Sequence, residues 1–354
     1  MYKKLVLIFG LVSLFFSLFI FSLVVLIDPM QQYRKAEYYK PVYNNPNYTI
    51  PGIAKNYKYN SFILGSSMTE NFNLSELADL EGFSSPIKLS LSGAKAKNLN
   101  ILASVAFDKS IETVLLGLDI FSLTGKPTDT ANGEGAIPYY LYDNNILNDY
   151  KYIFNIDTVF ECIRPFIYRY LKGPNADVFN KSIMFSNNMS SDYYPNLIAI
   201  NHYKSYLKKL HSLKNRSLFN YEFKQLKNNF DINILPMIQE HKDTKFIIFY
   251  PPYSILTYKF IDKKGWLDDF TRMKEYVFKS TASLKNVEIY DFQLENRITH
   301  NLHNYRDYSH YHYKINTWIL KQIKNKKYLV SENNFKQNTK NLHKQVEVYS
   351  LPKL

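Results

Sequence analysis

The pattern of apolar and polar positions along the chain predicts five short β-strands. Each is a brief run of bulky apolar residues that ends at Gly, Ser, Pro or Asp, and polar or helical segments separate the runs. Strands that alternate with helices in this way indicate βαβ units and a parallel sheet. The predicted strands are 61–64, 87–91, 112–118, 244–250 and 287–292.

Helical patterns follow most of these strands. The predicted helices are 68–80, 94–107, 266–282 and 311–325. Together with the strands, they predict an α/β domain with a parallel sheet of about five strands, in a flavodoxin-like, three-layer α/β/α arrangement.

The N-terminal segment predicts a membrane anchor. Residues 5–27 contain no charged side chain, and as a helix they would span about 35 Å at about 1.5 Å per residue. A helix of this length can cross the hydrocarbon core of a membrane, which is about 30 Å thick. No small-residue cleavage pattern precedes Asp28, so an uncleaved signal anchor at 1–28 is favoured over a cleaved signal peptide. Lys3 and Lys4 predict a cytoplasmic N-terminus, with the remaining chain outside, periplasmic or at the cell surface.

Composition divides the rest of the chain into segments. Residues 29–59 are polar and rich in Tyr and Pro, which predicts a tether between the membrane and the domain. The α/β alternation occupies 60–124 and 244–327. Between them, 125–243 is interpreted as a largely helical insertion, either a lid, a contact surface for a membrane partner, or simply a solvated subdomain. The Lys-rich residues 328–354 lack clear periodicity and predict a solvated, partly disordered basic tail.

Composition and charge narrow the class of protein. With 354 residues, 46% of them hydrophobic, the chain can form a sizeable folded core. A single cysteine, Cys162, excludes an internal disulfide. The net charge of +13 includes a basic C-terminal stretch that would suit lipid headgroups or an acidic glycan. The membrane segment argues against a nucleic-acid partner.

The turn after the first predicted strand, Gly65-Ser66-Ser67, carries a candidate nucleophile. A serine on a tight strand-to-helix turn exposes its hydroxyl, and N–H groups at a helix start stabilise negative charge. A nucleophilic serine also needs a histidine base that a carboxylate orients. Asp307 and His310 supply both groups in one short loop. Taken alone, the Gly-Ser-Ser sequence could equally be a capped turn with no catalytic role.

The candidate residues follow different strands of the predicted sheet. Ser67 comes after the first strand, Gly93 after the second and Asp119 after the third. Asp307 and His310 lie in the loop after the fifth. Because functional groups in open parallel sheets gather at the carboxyl ends of the strands, we expect these residues to converge.

These residues resemble the SGNH (GDSL-type) hydrolase superfamily. Its nucleophile lies in a Gly-Asp-Ser turn, matched here by Gly65-Ser66-Ser67, and its second block contributes a glycine, matched by Ser92-Gly93. Its last block is Asp-x-x-His, matched by Asp307-Tyr308-Ser309-His310 before a final helix. The resemblance covers 60–120 and 244–325.

The resemblance implies roles for the matched residues. Ser67 would be the nucleophile, His310 its base and Asp307 the carboxylate that orients His310, with no cofactor and no metal. The N–H groups of Ser67 and Gly93 would form the oxyanion hole. The family's third block has an oxyanion-donating asparagine where this chain has Asp119. An ionised carboxylate cannot donate a hydrogen bond. Asp119 is therefore either kept protonated as a third oxyanion donor, or points elsewhere while other donors serve, or leaves the enzyme slow; we favour the second.

A membrane-anchored sub-group of that superfamily is similar in having Gly-Ser-Ser, an N-terminal anchor and a large insertion. It includes the D-alanine transfer protein of teichoic-acid assembly and the anchored proteins of alginate O-acetylation. The similarity implies a serine esterase or O-acyltransferase that acts on an envelope polysaccharide, glycan or polyol polymer. An acyl donor and a multi-span membrane acyltransferase are the implied partners.

Two alternatives belong to other classes of protein. One is a non-catalytic scaffold that binds an envelope polymer or organises a membrane assembly, which Asp119 and the basic tail would suit. The other is a metal-dependent hydrolase with a zinc or iron site, because His and Asp are dense near the last predicted helix. Its candidate ligands are His300, His303, Asp307, His310 and His312.

Overall fold

The computed structural model describes residues 2–39, 46–131, 137–172, 194–212 and 221–351. The chain divides into two compact units. The first unit comprises Met1–Lys58 with Gly135–Phe179, and the second comprises Tyr59–Glu134 with Asn180–Leu354.

In the part of the second unit that the structure describes, five strands form one parallel sheet, as the apolar runs predict. The strand order is β2-β1-β3-β4-β5, and every neighbouring pair is parallel. Residues of β1 and β3 are buried throughout, as is usual for parallel strands. The strands are β1 (Ser61–Gly65), β2 (Pro86–Ser90), β3 (Thr113–Gly117), β4 (Lys245–Tyr250) and β5 (Val287–Asp291).

Helices make up most of the remaining described chain. In the order of the sequence they are α1 (Tyr2–Ile27), α2 (Pro46–Asn56), α3 (Leu74–Leu77), α4 (Ala96–Ala106), α5 (Tyr150–Ile153), α6 (Ile156–Lys172), α7 (Asn196–Ser212), α8 (Phe223–Asn233), α9 (Leu235–Glu240), α10 (Ile255–Lys263), α11 (Leu267–Thr281), α12 (Asn296–Thr299), α13 (Tyr313–Lys324) and α14 (Phe335–Val348).

Helix α1 is the predicted apolar helix at the N-terminus. An 18-residue window of it has a mean hydropathy of 2.7, and most of its side chains are exposed. Among the described residues, it alone is long and apolar enough to cross a membrane, by length and composition.

The structure differs from the predicted tether after α1. Asp28 is buried with a φ of +49°, and its carboxylate accepts N–H groups of Gln32 (2.9 Å), Tyr33 (2.8 Å) and Arg34 (3.1 Å). One side chain thus folds the chain back on itself directly after the helix. The described part of 29–59 belongs to the first unit and includes α2.

A small apolar core holds the first unit together. Val24 of α1 packs with Tyr152, Ile153 and Cys162 of the predicted insertion, and α6 lies against α1. The described part of 125–243 is mostly helical, but it is divided between the two units and does not form one separate body.

The predicted basic tail is instead folded. Residues 335–348 form α14, which packs against α11, with Phe335, Leu342 and Val346 buried. Before it, Leu329 forms an antiparallel bridge with Tyr290 of β5. The apolar residues of this segment are few and widely spaced among its lysines, so the sequence pattern alone did not predict a helix here.

A local difference lies beside the candidate nucleophile. In place of one helix over 68–80, the structure has a 3₁₀ turn, Ser67–Thr69, followed by the short helix α3. Parts of the predicted tether, insertion and tail lie outside the described residues, at 40–45, 132–136, 173–193, 213–220 and 352–354.

Candidate active site

The turn at the carboxyl end of β1 presents Ser67. Ser66 caps it, because its Oγ accepts the N–H of Met68 at 3.3 Å and its carbonyl oxygen accepts the N–H of Thr69 at 3.0 Å. Ser67 is therefore the first residue of a short 3₁₀ turn, with its side chain lining an open cleft. This is the strand–turn arrangement that exposes a serine hydroxyl.

Two glycines allow Thr69 to pack over the ends of β1 and β3. A Cβ at Gly65 would lie 2.5 Å from Thr69 Cγ2, and one at Gly117 would lie 2.4 Å from the same atom. Thr69 Oγ1 meanwhile donates to the Ser66 carbonyl oxygen at 2.9 Å. Any larger residue at either strand end would therefore displace the turn that carries Ser67.

The predicted nucleophile, base and orienting carboxylate lie together. Ser67 Oγ and His310 Nε2 are 2.8 Å apart, although the residues are 243 positions apart in the sequence. His310 Nδ1 is 2.7 Å from Asp307 Oδ2. Both distances are within the usual range for a hydrogen bond. The three side chains thus form one chain from hydroxyl to imidazole to carboxylate.

The loop after α12 holds the His310 side chain in place. Asp307 Oδ1 accepts the N–H groups of Ser309 (2.7 Å) and His310 (2.8 Å), which leaves Oδ2 for the imidazole. Tyr305 and Tyr311 close the loop with an antiparallel bridge. The carboxylate is therefore fixed by the backbone of the same loop that carries the histidine.

Asp307 and His310 shift each other's pKa. Burial raises the pKa of Asp307, but the hydrogen bond and charge of His310 outweigh it and hold that pKa at about 2. Burial lowers the pKa of His310, but Asp307 outweighs it and raises that pKa above its ordinary value. Asp307 thus stays ionised, and His310 becomes a stronger base.

The predicted oxyanion donors line the same cleft. Gly93 follows β2 with a φ of +69°, a left-handed conformation that glycine adopts without strain. Within the part of the chain that the structure describes, the N–H groups of Ser67 and Gly93 donate to no other group. Both N–H groups therefore keep their capacity to donate a hydrogen bond.

Asp119 is placed as an acceptor. Its Oδ2 accepts the Ser66 hydroxyl at 2.8 Å, and its Oδ1 accepts the Phe121 N–H at 3.0 Å and the Tyr253 hydroxyl. Burial raises the pKa of Asp119, and the hydrogen bonds from Ser66 and Phe121 oppose that shift only in part. Both oxygens are occupied by donors, so this carboxylate joins the ends of β1, β3 and β4.

Ser66 and Tyr253 are site residues that were not predicted from the sequence. Tyr253 follows β4, and residues at the carboxyl ends of parallel strands are the natural candidates for a site. The same rule, applied to the residues that follow the fourth strand, would have identified Tyr253. For Ser66, the hydrogen bond to Asp119 depends on the tertiary fold and leaves no local signal.

A cleft of about 280 Å³ extends from the candidate triad. Tyr206 of α7 and Tyr221, both within the predicted insertion, contribute to its wall. Ring centroids of Tyr206 and Tyr308 lie 5.0 Å apart. Aromatic rings thus form much of the lining of the cleft beside Ser67 and His310: Phe121, Tyr206, Tyr221, Tyr253, Phe260 and Tyr308.

The histidines proposed as metal ligands do not converge. His303 Nδ1 lies 2.7 Å from the Tyr194 carbonyl oxygen, His312 caps the start of α13, and His300 packs edge-on against Tyr349. Among the described residues, no group of three or more His, Cys, Asp or Glu side chains is arranged to hold a metal ion. The spacing that suggested this alternative therefore does not assemble a site.

Comparison of the chain with models of protein families gives no match, and comparison with curated proteins gives no significant match. The resemblance to the SGNH superfamily therefore stays a prediction. It rests on the matched residues of the chain and on the geometry described above.

Proposed function

We propose that the protein is a membrane-anchored serine esterase or O-acyltransferase. The observation that carries the proposal is the unbroken chain of hydrogen bonds from Ser67 Oγ through His310 to Asp307, at 2.8 and 2.7 Å. A hydroxyl, an imidazole and an ionised carboxylate in this order are the parts of a nucleophilic triad.

The first half of the reaction forms an acyl-enzyme. Ser67 Oγ attacks the carbonyl carbon of an ester while His310 Nε2 takes the hydroxyl proton. The tetrahedral intermediate then collapses, the carbon–oxygen bond to the leaving group breaks, and His310 returns the proton to the departing alkoxide. Asp307 holds the imidazole in the tautomer with Nδ1 protonated and stabilises its cation.

The second half regenerates the serine. His310 takes a proton from water, in an esterase, or from a sugar or polyol hydroxyl, in a transferase. The resulting oxygen attacks the acyl carbon, and the proton passes to Ser67 as its bond to the acyl group breaks. The N–H groups of Ser67 and Gly93 stabilise the oxyanion in both halves. Asp119 keeps its acceptor role throughout.

The sheet supports membership of the SGNH superfamily. A strand order of 2-1-3-4-5 is that of flavodoxin-like folds, in which helices cover both faces of the sheet in three layers. Ser67, Gly93 and Asp119 follow β1, β2 and β3 as the family's blocks do.

The substrate class follows from location and from the cleft. Lys3 and Lys4, in the first turn of α1, favour a cytoplasmic N-terminus and an extracytoplasmic catalytic unit, which would face the polymers of the cell envelope. Aromatic walls beside Ser67 suit a substrate with apolar faces, such as a sugar ring or an acyl chain. A multi-span membrane acyltransferase is the proposed source of the acyl group.

A fluorophosphonate probe tests the proposal, because it labels only activated serines. We expect the purified full chain to be labelled, Ser67→Ala to lose labelling, and Ser92→Ala, a second serine of the same cleft, to keep it. The wild type and Ser92→Ala should also hydrolyse p-nitrophenyl acetate, and Ser67→Ala should not. An unlabelled wild type, or equal labelling of Ser67→Ala, would overturn the mechanism.

A non-catalytic scaffold that binds an envelope polymer is the second candidate. The observation that favours it is Asp119, a carboxylate where the family has an oxyanion donor. A scaffold would have no activated serine, so the wild type would stay unlabelled by the probe. The same experiment therefore separates the two functions.

A further inference from the structure

Helix α6 of the first unit carries an apolar stripe that stays largely exposed among the described residues, although one member, Phe166, contacts Tyr39 with ring centroids 6.1 Å apart. Its members recur at the three- and four-residue spacing that aligns side chains on one face. Their exposed fractions range from 48% to 90%, whereas a soluble helix normally turns such a stripe inward. The stripe consists of Phe160, Ile163, Phe166, Ile167, Tyr170 and Leu171.

The opposite face of α6 is already occupied. Thr158, Cys162 and Pro165 are buried, and Cys162 belongs to the core of the first unit together with Val24 of α1. The exposed stripe is therefore a second apolar face, separate from the face that folds the unit. Between the two lies a polar edge, where Arg164 Nε pairs with Glu161 Oε1 at 2.8 Å.

The contacts with α1 fix the level of α6 along that helix. Ile20, Leu23 and Ile27 of α1 pack with this core, and so does Val159 of α6. These α1 residues lie in its last two turns, within about 12 Å of its end at about 1.5 Å per residue. If α1 crosses a core of about 30 Å, this stretch lies within one leaflet.

Tyrosines surround the same level of the first unit. Tyr33, Tyr48, Tyr140 and Tyr142 are partly buried against the core that holds the end of α1. Tyrosine is enriched where a membrane meets water, because its ring is apolar and its hydroxyl is polar. The end of α1 thus has the composition of a membrane interface.

We propose that α6 is a second membrane-contacting element, which lies beside the end of α1 with its apolar stripe against lipid acyl chains. Like the exposed side chains of α1, the stripe would contact lipid, and the edge with Arg164 and Glu161 would face the headgroups, as in an amphipathic interfacial helix. The proposal rests on α1 crossing a membrane and is independent of the serine chemistry.

Site-directed spin labelling of the full chain in phosphatidylcholine nanodiscs tests this assignment. In a Cys162→Ala background, a nitroxide is attached to Ile163→Cys or Ile167→Cys on the stripe. Asp157→Cys, on the polar side of the same helix, is the matched control, and Phe9→Cys in α1 is the lipid reference. Thermal unfolding shows that each variant is folded.

The measured quantity is the collision rate of the label with oxygen, which dissolves in lipid, relative to a water-soluble nickel complex. We expect both stripe positions to resemble Phe9→Cys and to exceed Asp157→Cys severalfold in this ratio. Stripe labels as accessible to nickel as Asp157→Cys would place α6 in water and overturn the proposal. Labels shielded from both reagents would also overturn it, since a second protein surface would then cover the stripe.

Discussion

The Ser66 hydroxyl donates a 2.8 Å hydrogen bond to Asp119 Oδ2, and so ties the end of β1 to the end of β3. Tyr253 and the Phe121 N–H donate to the other carboxylate oxygen. Asp119 is therefore an anchor for the turn that presents Ser67. This relationship gives Asp119 a structural role that needs no donation to an oxyanion.

Substitution of Asp119 tests its anchoring role. In Asp119→Asn, the amide oxygen can still accept from Tyr253 and Phe121, and the amide nitrogen can donate to Ser66 Oγ. We expect the rate of fluorophosphonate labelling to change by less than about tenfold. Asp119→Ala leaves donors unsatisfied at about 1–3 kcal/mol each, and should unfold at clearly lower denaturant concentration.

The two Asp119 variants separate anchoring from a direct catalytic effect. If the carboxylate pointed at the developing oxyanion, Asp119→Asn would accelerate labelling by about 10²–10³-fold. Such a gain would contradict the acceptor role inferred from the hydrogen bonds.

The pH dependence of labelling reports on His310. The triad needs neutral His310, so the rate should rise with pH through a pKa that lies above 6.5, because Asp307 raises it. In Asp307→Asn, burial acts without the opposing carboxylate, so the midpoint should move to lower pH. The plateau rate should fall by about 10⁴-fold, since the tautomer is no longer fixed. A pH profile with an unchanged midpoint would contradict the assigned coupling.

Gly117→Ala should disturb the Ser67 turn by overpacking. The added Cβ would lie 2.4 Å from Thr69 Cγ2, at a cost of about 1–3 kcal/mol in unfolding free energy. Labelling of Ser67 should slow as well. Adding Thr69→Ser, which removes Cγ2 but keeps the hydroxyl, should restore much of both losses. Gly10→Ala is the control, because its added Cβ has no other atom within 4 Å. This substitution should leave the unfolding free energy and the labelling rate unchanged.

The C-terminal helix makes a testable contribution to stability. Leu342 is fully buried in α14, so Leu342→Ala should lower the unfolding free energy of the second unit by about 2–5 kcal/mol. Lys340 is exposed on the same helix, and Lys340→Ala should change it by less than about 0.5 kcal/mol. Equal, negligible effects of both substitutions in a denaturant titration would support a solvated tail instead.

The strands and the candidate site residues could be predicted from local pattern. The five strands fall within a residue or two of their predicted ends, because short apolar runs bounded by Gly, Ser and Asp have few alternatives. Ser67, Asp307 and His310 were recognisable as residue types in suitable turns. The helix over 68–80 was wrong, since Ser66 and Thr69 favour a tight turn through their own hydroxyls.

What the chain determined by itself was therefore its apolar helix, its strands and the candidate residues for a nucleophile, a base and a carboxylate. Only the tertiary structure decided that Ser67 and His310 lie 2.8 Å apart, that Asp119 accepts hydrogen bonds from three donors, and that residues 335–348 fold into α14. Periodicity reports which face of a segment prefers burial. It carries no information on which distant segment covers that face, and long-range hydrogen bonds to buried carboxylates form only once that partner is in place.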